Sequence, residues 1–206
     1  MSAIYKREVR SYFHSVIGWL FVAVILFFMN LYAVIYNLVQ GYPYVSSSLQ
    51  QSMFIFIIAI PILTMRSLAE ERKNKTDQLI LTAPVSVSRI VFGKFLAMET
   101  VFSIPCLAAC LFPVILSRFG TVPFAQSYIA ILGFFLFGSV TIAIGLFVSS
   151  LTENQIIAAA VSVAMIFIGY IMSGLCSLIS SSGNLLTRIL GAYDLTTPFS
   201  NNLCLF

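Results

Sequence analysis

Charged side chains are scarce in this sequence: 9% of its 206 residues are Asp, Glu, Lys or Arg, whereas 60% are hydrophobic. An ordinary soluble domain carries about 25% charged residues and is less than about half apolar. With a mean hydropathy of +1.01, the chain has too little polar surface to cover a globule in water. The sequence therefore predicts a membrane protein.

Several features that enzymes need are also missing. His14 is the only histidine, which removes a Ser-His pair and most zinc sites. The sequence has no G-x-x-x-x-G-K-[ST] phosphate loop and no G-x-S-x-G motif. The four cysteines lie mostly in apolar segments, where inert thiols are the default: Cys106, Cys110, Cys176 and Cys204. We therefore predict a chain that is not an enzyme, has no metal site and binds no cofactor itself.

Five apolar segments are long enough to approach a membrane span, which takes about 20 residues. They are Val16 to Leu38, Leu49 to Met65, Phe95 to Ser117, Ser127 to Leu151 and Gln155 to Ile179. The second is short, and we expect it to borrow residues from Ser46 to Ser48. The predicted fold class is all-α: one polytopic transmembrane helical bundle covering residues 1–206.

Most of the 11 Lys and Arg residues fall in two segments, one before the first span and one at residues 66–94. Basic residues in short loops are retained on the cytoplasmic side. The sequence thus predicts a multi-pass protein of the cytoplasmic membrane with a cytoplasmic N-terminus. The basic excess reflects topology and contact with anionic lipid rather than binding to nucleic acid. The tail, 180–206, is expected on the outer side.

Residues 1–15 have an amphipathic pattern. Apolar side chains recur at helical spacing on one side, and basic ones lie mostly on the other: Ile4, Tyr5, Val9, Tyr12 and Phe13 against Lys6, Arg7 and Arg10. Such a helix lies in the headgroup plane before the first span. A plain positively charged anchor is the alternative.

The cytoplasmic segment 66–94 is the longest hydrophilic piece, and it is too short for an independent enzymatic domain. It concentrates charges of both signs before an apolar pattern that Pro84 interrupts. The charged residues are Arg66, Glu70, Glu71, Arg72, Lys73, Lys75 and Asp77. Mixed charges on a short helix suit docking onto a soluble partner, and a solvated loop is the alternative.

A second turn on the same side joins the fourth and fifth spans. Thr152 followed by Gln155 forms a capping-box pattern, and Glu153 would lie at the positive end of the next helix. Capping alone explains these residues. Their position also makes them candidates, with Asn154, for a second docking contact.

Glu99 is the only acid within the predicted spans. A carboxylate in a span is by default a candidate for proton transfer or ion binding. Because Glu99 lies only about one turn inside the third span, we favour a structural role in which it reaches the interface or pairs with Lys94 or Arg89. Pro105 and Pro113 predict a kink in this span.

The fourth and fifth spans contain small residues near helical spacing. These residues predict close helix packing: Gly138, Gly145 and Ser149 in the fourth, and Ala158, Ser162, Gly169 and Ser173 in the fifth.

Three segments resemble, in family order, the membrane subunit of a type-two ATP-binding cassette (ABC-2) exporter, of the gliding-motility and copper-processing permease kind. They are YKREVRSYF, AEERKNKTDQLILTAPVSVSRIVFGKFLA and SSLTENQIIAAAVSV. The resemblance implies a six-span permease that works as a dimer, with itself or a paralogue, and with separate ATPase subunits that bind ATP and Mg²⁺. It implies that the family's sixth span is missing here and that the tail is truncated; a native five-span protein is the alternative.

The resemblance also implies where the ATPase docks. The main docking segment would contain Glu70, Glu71, Arg72, Thr76, Asp77 and Pro84, and the secondary contact Thr152, Glu153, Asn154 and Gln155. The leading hypothesis is an exporter permease driven by alternating access. A membrane scaffold that recruits a cytoplasmic partner and an ion-coupled secondary transporter that uses Glu99 are the alternatives. The sequence does not identify the substrate.

Overall fold

The computed structural model describes residues 2–41, 44–65, 67, 87–120 and 122–179. Eight α-helices follow one another in these ranges: α1 (Ser2–His14), α2 (Val16–Tyr32), α3 (Val45–Ser52), α4 (Phe56–Thr64), α5 (Val87–Ala109), α6 (Phe112–Leu116), α7 (Phe124–Leu151) and α8 (Gln155–Ile179). A π-helical stretch, Ala33–Val39, extends α2, and a 3₁₀ turn, Met53–Ile55, joins α3 to α4. The predicted all-helical class is confirmed for the described residues.

Within the described residues, four helical stretches are long and apolar enough to cross a membrane: Val16–Val39, Val45–Thr64, Ser88–Leu116 and Phe124–Leu151. They coincide with the first four predicted spans, although the third begins about two turns before the predicted residue Phe95. The helix α8 has 25 residues, but the apolar stretch assessed within it, Gln155–Ile171, is shorter than a span. The fifth span therefore stays a prediction.

The predicted N-terminal helix is present as α1, and it turns directly into α2. Ser15 separates the two helices, and its hydroxyl accepts a hydrogen bond from the backbone N–H of Ile17 at 3.3 Å. Gly18 permits the close turn, because a Cβ there would lie 2.3 Å from the carbonyl oxygen of Tyr12. The placement of α1 in the headgroup plane stays a prediction.

The second span is continuous from α3 to α4 and begins at Val45, so it does include residues ahead of Leu49. Its polar side chains bond within the helix: the Ser48 hydroxyl donates to the carbonyl of Val45 at 2.9 Å, and Ser52 donates to that of Ser48 at 2.8 Å. Hydroxyls satisfied in this way are compatible with a membrane interior.

An aromatic cluster lies where α4, α5 and α7 meet. The ring of Phe56 lies 5.3 Å from that of Phe102, 4.8 Å from that of Phe134 and 5.7 Å from that of Phe137, measured between centroids. Phe56, Phe102 and Phe134 are fully buried. Since α7 contacts α3, α4, α5, α6 and α8, it is the central helix of the described bundle.

The third span is interrupted near its end. The helix α5 ends at Ala109, and α6 begins at Phe112 with Pro113 in its first turn. Pro113 has no N–H to donate, and proline restricts the residue before it, so the helical hydrogen bonds are interrupted here. The helix is interrupted at Cys110 and Leu111, next to Pro113, whereas α5 continues without a break through Pro105. The kink stays a prediction.

Candidate functional site

Lys94 forms a buried polar contact among three segments. Its Nζ atom donates to the carbonyl of Ser67 at 3.0 Å and lies 3.5 Å from Oε1 of Glu8. The residue is 1% exposed, and Glu8 also receives a hydrogen bond from Arg7 at 3.1 Å. Ser67 follows the second span, Lys94 is in α5 and Glu8 is in α1, so this contact ties together the two ends of segment 66–94 and the N-terminal helix.

The helix α1 packs directly on α5. The hydroxyl of Tyr5 and that of Thr100 form a hydrogen bond at 2.8 Å. Gly93 allows the approach, because a Cβ there would lie 3.2 Å from Cγ2 of Ile4. The predicted apolar face of α1 therefore contacts the protein at Ile4 and Tyr5, while Lys6, Arg7 and Arg10 are exposed.

Of the two structural roles expected for Glu99, the pairing with Lys94 or Arg89 is wrong, and a position at the membrane interface stays a prediction. Oε1 of Glu99 accepts a short hydrogen bond from the hydroxyl of Ser139, which lies on α7. Oε2 is buried and has no hydrogen-bond partner within the described part of the chain. Lys94 binds Glu8 instead. Because Glu8 lies on α1, the spacing of residues within α5 does not reveal this partner.

Glu99 lies in the wall of an open groove of about 470 Å³ between α1, α5 and α7. We refer to it as the Glu99 groove. Most of its lining surface is apolar, and its polar groups are hydroxyls and one carboxyl. The lining residues are Tyr5, Gly93, Leu96, Glu99, Thr100, Ser103 and Phe135.

The described residues that flank segment 66–94 lie at the same end of the bundle as the turn at residues 152–154. A second groove, of about 380 Å³, is lined by residues from the start of α5 and the end of α7, among them Val91, Phe95 and Ser150. The end of α4 is also close to α7, since a Cβ on Gly145 would lie 2.4 Å from Oγ1 of Thr64. The described residues on both sides of segment 66–94 are thus close to the end of α7, where the turn at residues 152–154 begins.

The turn between α7 and α8 is capped differently from the prediction. Oδ1 of Asn154 accepts a hydrogen bond from the N–H of Ile156 at 3.0 Å, and the Asn154 carbonyl accepts one from Ala158 at 2.9 Å. Asn154 is therefore the N-cap. The predicted Thr152 cap is wrong: its Oγ1 is buried and has no hydrogen-bond partner among the described residues.

Among the candidates for the secondary docking contact, Glu153 and Asn154 are exposed, whereas Thr152 and Gln155 are half-buried. The candidates for the main docking segment lie outside the described residues: Glu70, Glu71, Arg72, Thr76, Asp77 and Pro84. The tail 180–206 lies outside them as well. No group of His, Cys, Asp and Glu side chains that could hold a metal ion occurs in the described ranges.

The predicted close packing at the small residues of α7 is confirmed. A Cβ on Gly138 would lie 2.2 Å from Cε1 of Phe102, so α5 and α7 approach one another at this glycine. Ser149, on the same helix, is fully buried. On α8, Ala158 and Ser162 are buried too.

The apolar helices and their packing show the class of protein: the chain is a multi-pass helical membrane protein. The family model of ABC-2 family transporter proteins matches residues 36–199. The chain therefore belongs to the ABC-2 family, whose members are membrane transport permeases that normally work with an ABC ATPase subunit. The helix α1 precedes the matched range. No curated protein sequence and no solved structure matches the chain significantly.

Proposed function

We propose that this chain is the permease subunit of an ABC exporter of the cytoplasmic membrane, driven by ATPase subunits on separate chains. The observation that carries the proposal is the family match over residues 36–199. It favours a transporter over a membrane scaffold, because a scaffold needs no transport fold. The closer assignment, to the gliding-motility and copper-processing kind, rests on the three sequence segments. Orientation with the N-terminus inside rests on the basic residues.

The ATPase docks, in this proposal, on segment 66–94 through Glu70, Glu71, Arg72, Thr76, Asp77 and Pro84, and on the turn at residues 152–155. Two observations support this assignment. Lys94 bonds to Ser67 across the ends of the segment, and Val91 and Ser150 line the same groove. A partner that pulls on the segment would therefore act on α4 and α5 together. ATP and Mg²⁺ would be bound by the partner.

Docking can drive transport only if the ATPase binds one state of the permease more tightly than the other. Closure of two ATPase subunits would move two copies of this chain, or this chain and a paralogue, between inward-facing and outward-facing states. The Lys94 contact joins α1 and α5 to Ser67, just beyond α4, and this favours coordinated movement of these helices.

A charge reversal tests the docking assignment. The double variant Glu70→Lys/Glu71→Lys should insert into the membrane like the wild type and lose ATPase stimulation, because complementary charges at the interface become like charges. Arg118→Glu is the matched control, since it reverses a charge in the turn between α6 and α7, at the opposite end of the bundle. Full stimulation by the double variant would show that these glutamates do not dock the ATPase.

A further inference from the structure

The Glu99 groove has the dimensions of a site for a small molecule. Its volume of about 470 Å³ lies in the range of ligand pockets, about 300–1,000 Å³. Leu96 and Phe135 supply apolar surface, and Leu96 is 46% exposed. The groove is therefore accessible in the described bundle and suited to an apolar body.

The carboxyl of Glu99 gives the groove a specific polar requirement. One oxygen is occupied by the Ser139 hydroxyl, and the other is buried with no partner in the described ranges. A buried polar atom without a hydrogen bond is unfavourable, because it has lost its bonds to water and gained none in return. A ligand that donates a hydrogen bond to this oxygen, once the carboxyl turns toward the groove, would remove that penalty.

The charge around the groove selects the kind of donor. Glu99 is the one ionisable carboxyl among its lining residues, and no Lys or Arg from the described ranges lines it. Lys94, one turn earlier on α5, is already held by Glu8 and Ser67. The ring of Phe135 adds a face that attracts cations. An anionic ligand would meet a carboxyl with no counter-charge, whereas an ammonium ion would meet both an acceptor and an opposite charge.

We propose that the Glu99 groove binds a lipophilic ammonium ion, with the ammonium group at the carboxyl of Glu99, whose Oε2 turns toward the groove on binding, and the apolar body against Leu96 and Phe135. The identification of this cation as the transported substrate rests on the proposed exporter function. The proposal that the groove binds the cation does not depend on that function. The hydrogen bond between Tyr5 and Thr100 fixes α1 along one side of the groove, so the N-terminal helix forms part of the site.

Binding is measured on the purified chain in nanodiscs of zwitterionic lipid, without ATPase or ATP. The probe is a dansyl fluorophore joined by a pentyl chain to a primary ammonium, and its N-acetylated form is the neutral control. We expect the wild type to bind the cation at least about tenfold more tightly than the neutral form, as a charge-assisted hydrogen bond requires. Glu99→Gln should remove this preference and leave the affinity for the neutral form unchanged.

A second pair of variants keeps the test decisive if Glu99→Gln does not fold. Leu96→Trp places an indole in the groove and should abolish binding of both probes. Leu132→Trp is the matched control, because Leu132 is 60% exposed on α7 and is not among the lining residues; it should bind as the wild type does.

Three results would overturn the proposal. Equal affinity of the wild type for the two probes would show that the groove is only an apolar surface, which lipid or a second copy of the chain covers. A cation preference that survives Glu99→Gln, or unchanged binding by Leu96→Trp, would place the cation elsewhere. Because the assay contains no ATPase, failure of the docking assignment leaves its outcome unchanged, so the two proposals fail separately.

Discussion

The burial of Lys94 sets it apart from nearby basic residues. Arg89, on the same helix, is exposed, whereas Lys94 is enclosed by Glu8 and by the carbonyl of Ser67. The sequence shows both as basic residues that favour a cytoplasmic location. It cannot reveal their difference, because the partners of Lys94 come from segments distant in the chain.

The first residue-scale prediction concerns this contact. Lys94→Met should lower the free energy of unfolding by about 1–3 kcal/mol, because the carbonyl of Ser67 loses its buried donor and Glu8 keeps only its bond to Arg7. The melting temperature of the detergent-purified protein, followed by size-exclusion chromatography after heating, measures the change. Arg89→Met is the matched control and should alter stability by less than about 0.5 kcal/mol.

The double variant Glu8→Gln/Lys94→Met separates the ion pair from other effects of the methionine. It should recover part of the lost stability, because no uncompensated charge remains at the contact. A double variant as unstable as the sum of its two single variants would show that Glu8 and Lys94 are not coupled.

A second prediction at this scale concerns Gly138. Gly138→Ala should destabilise the protein by about 1–3 kcal/mol, since the new methyl group meets the fully buried ring of Phe102. Gly120→Ala, where no atom lies within 4 Å of the new carbon, should have little effect. Thermal unfolding of the two variants measures the contrast, and equal melting temperatures would contradict the tight packing of α5 on α7.

At the scale of elements, the sequence predicts where helices lie better than where they begin. Apolar length locates the first four spans, because a helix that crosses hydrocarbon needs an uninterrupted apolar run. The start of α5 at Val87 was missed, since Ser88, Arg89 and Lys94 are polar. Lys94 is accommodated in that helix through contacts that only the tertiary structure supplies.

The prediction at the element scale tests the start of α8. Asn154→Ala should destabilise the helix by about 1 kcal/mol, because it removes the side chain that accepts the N–H of Ile156. Thr152→Val should be neutral or stabilising, because the buried hydroxyl that it removes has no partner in the described ranges. Thermal unfolding distinguishes the two variants. A larger loss of stability with Thr152→Val than with Asn154→Ala would show that Thr152 caps the helix after all.

At the scale of the whole molecule, composition and periodicity predict an all-helical membrane protein, but not how its helices meet. Nothing in the spacing of α1 shows that Tyr5 would contact Thr100 or that Glu8 would contact Lys94. The groove beside Glu99 was unpredicted for the same reason, since α1, α5 and α7 each contribute part of it. The carboxyl itself was identifiable, because acids are rare in apolar spans.

The most direct test of the central claim, that this permease works with a separate ATPase, is to identify its partners. The full chain is tagged in its native host, solubilised gently and purified, and the proteins recovered with it are identified by mass spectrometry. The account predicts an ABC ATPase subunit in the eluate, together with ATP hydrolysis. A folded, membrane-inserted chain that recovers no ATPase and hydrolyses no ATP would contradict it.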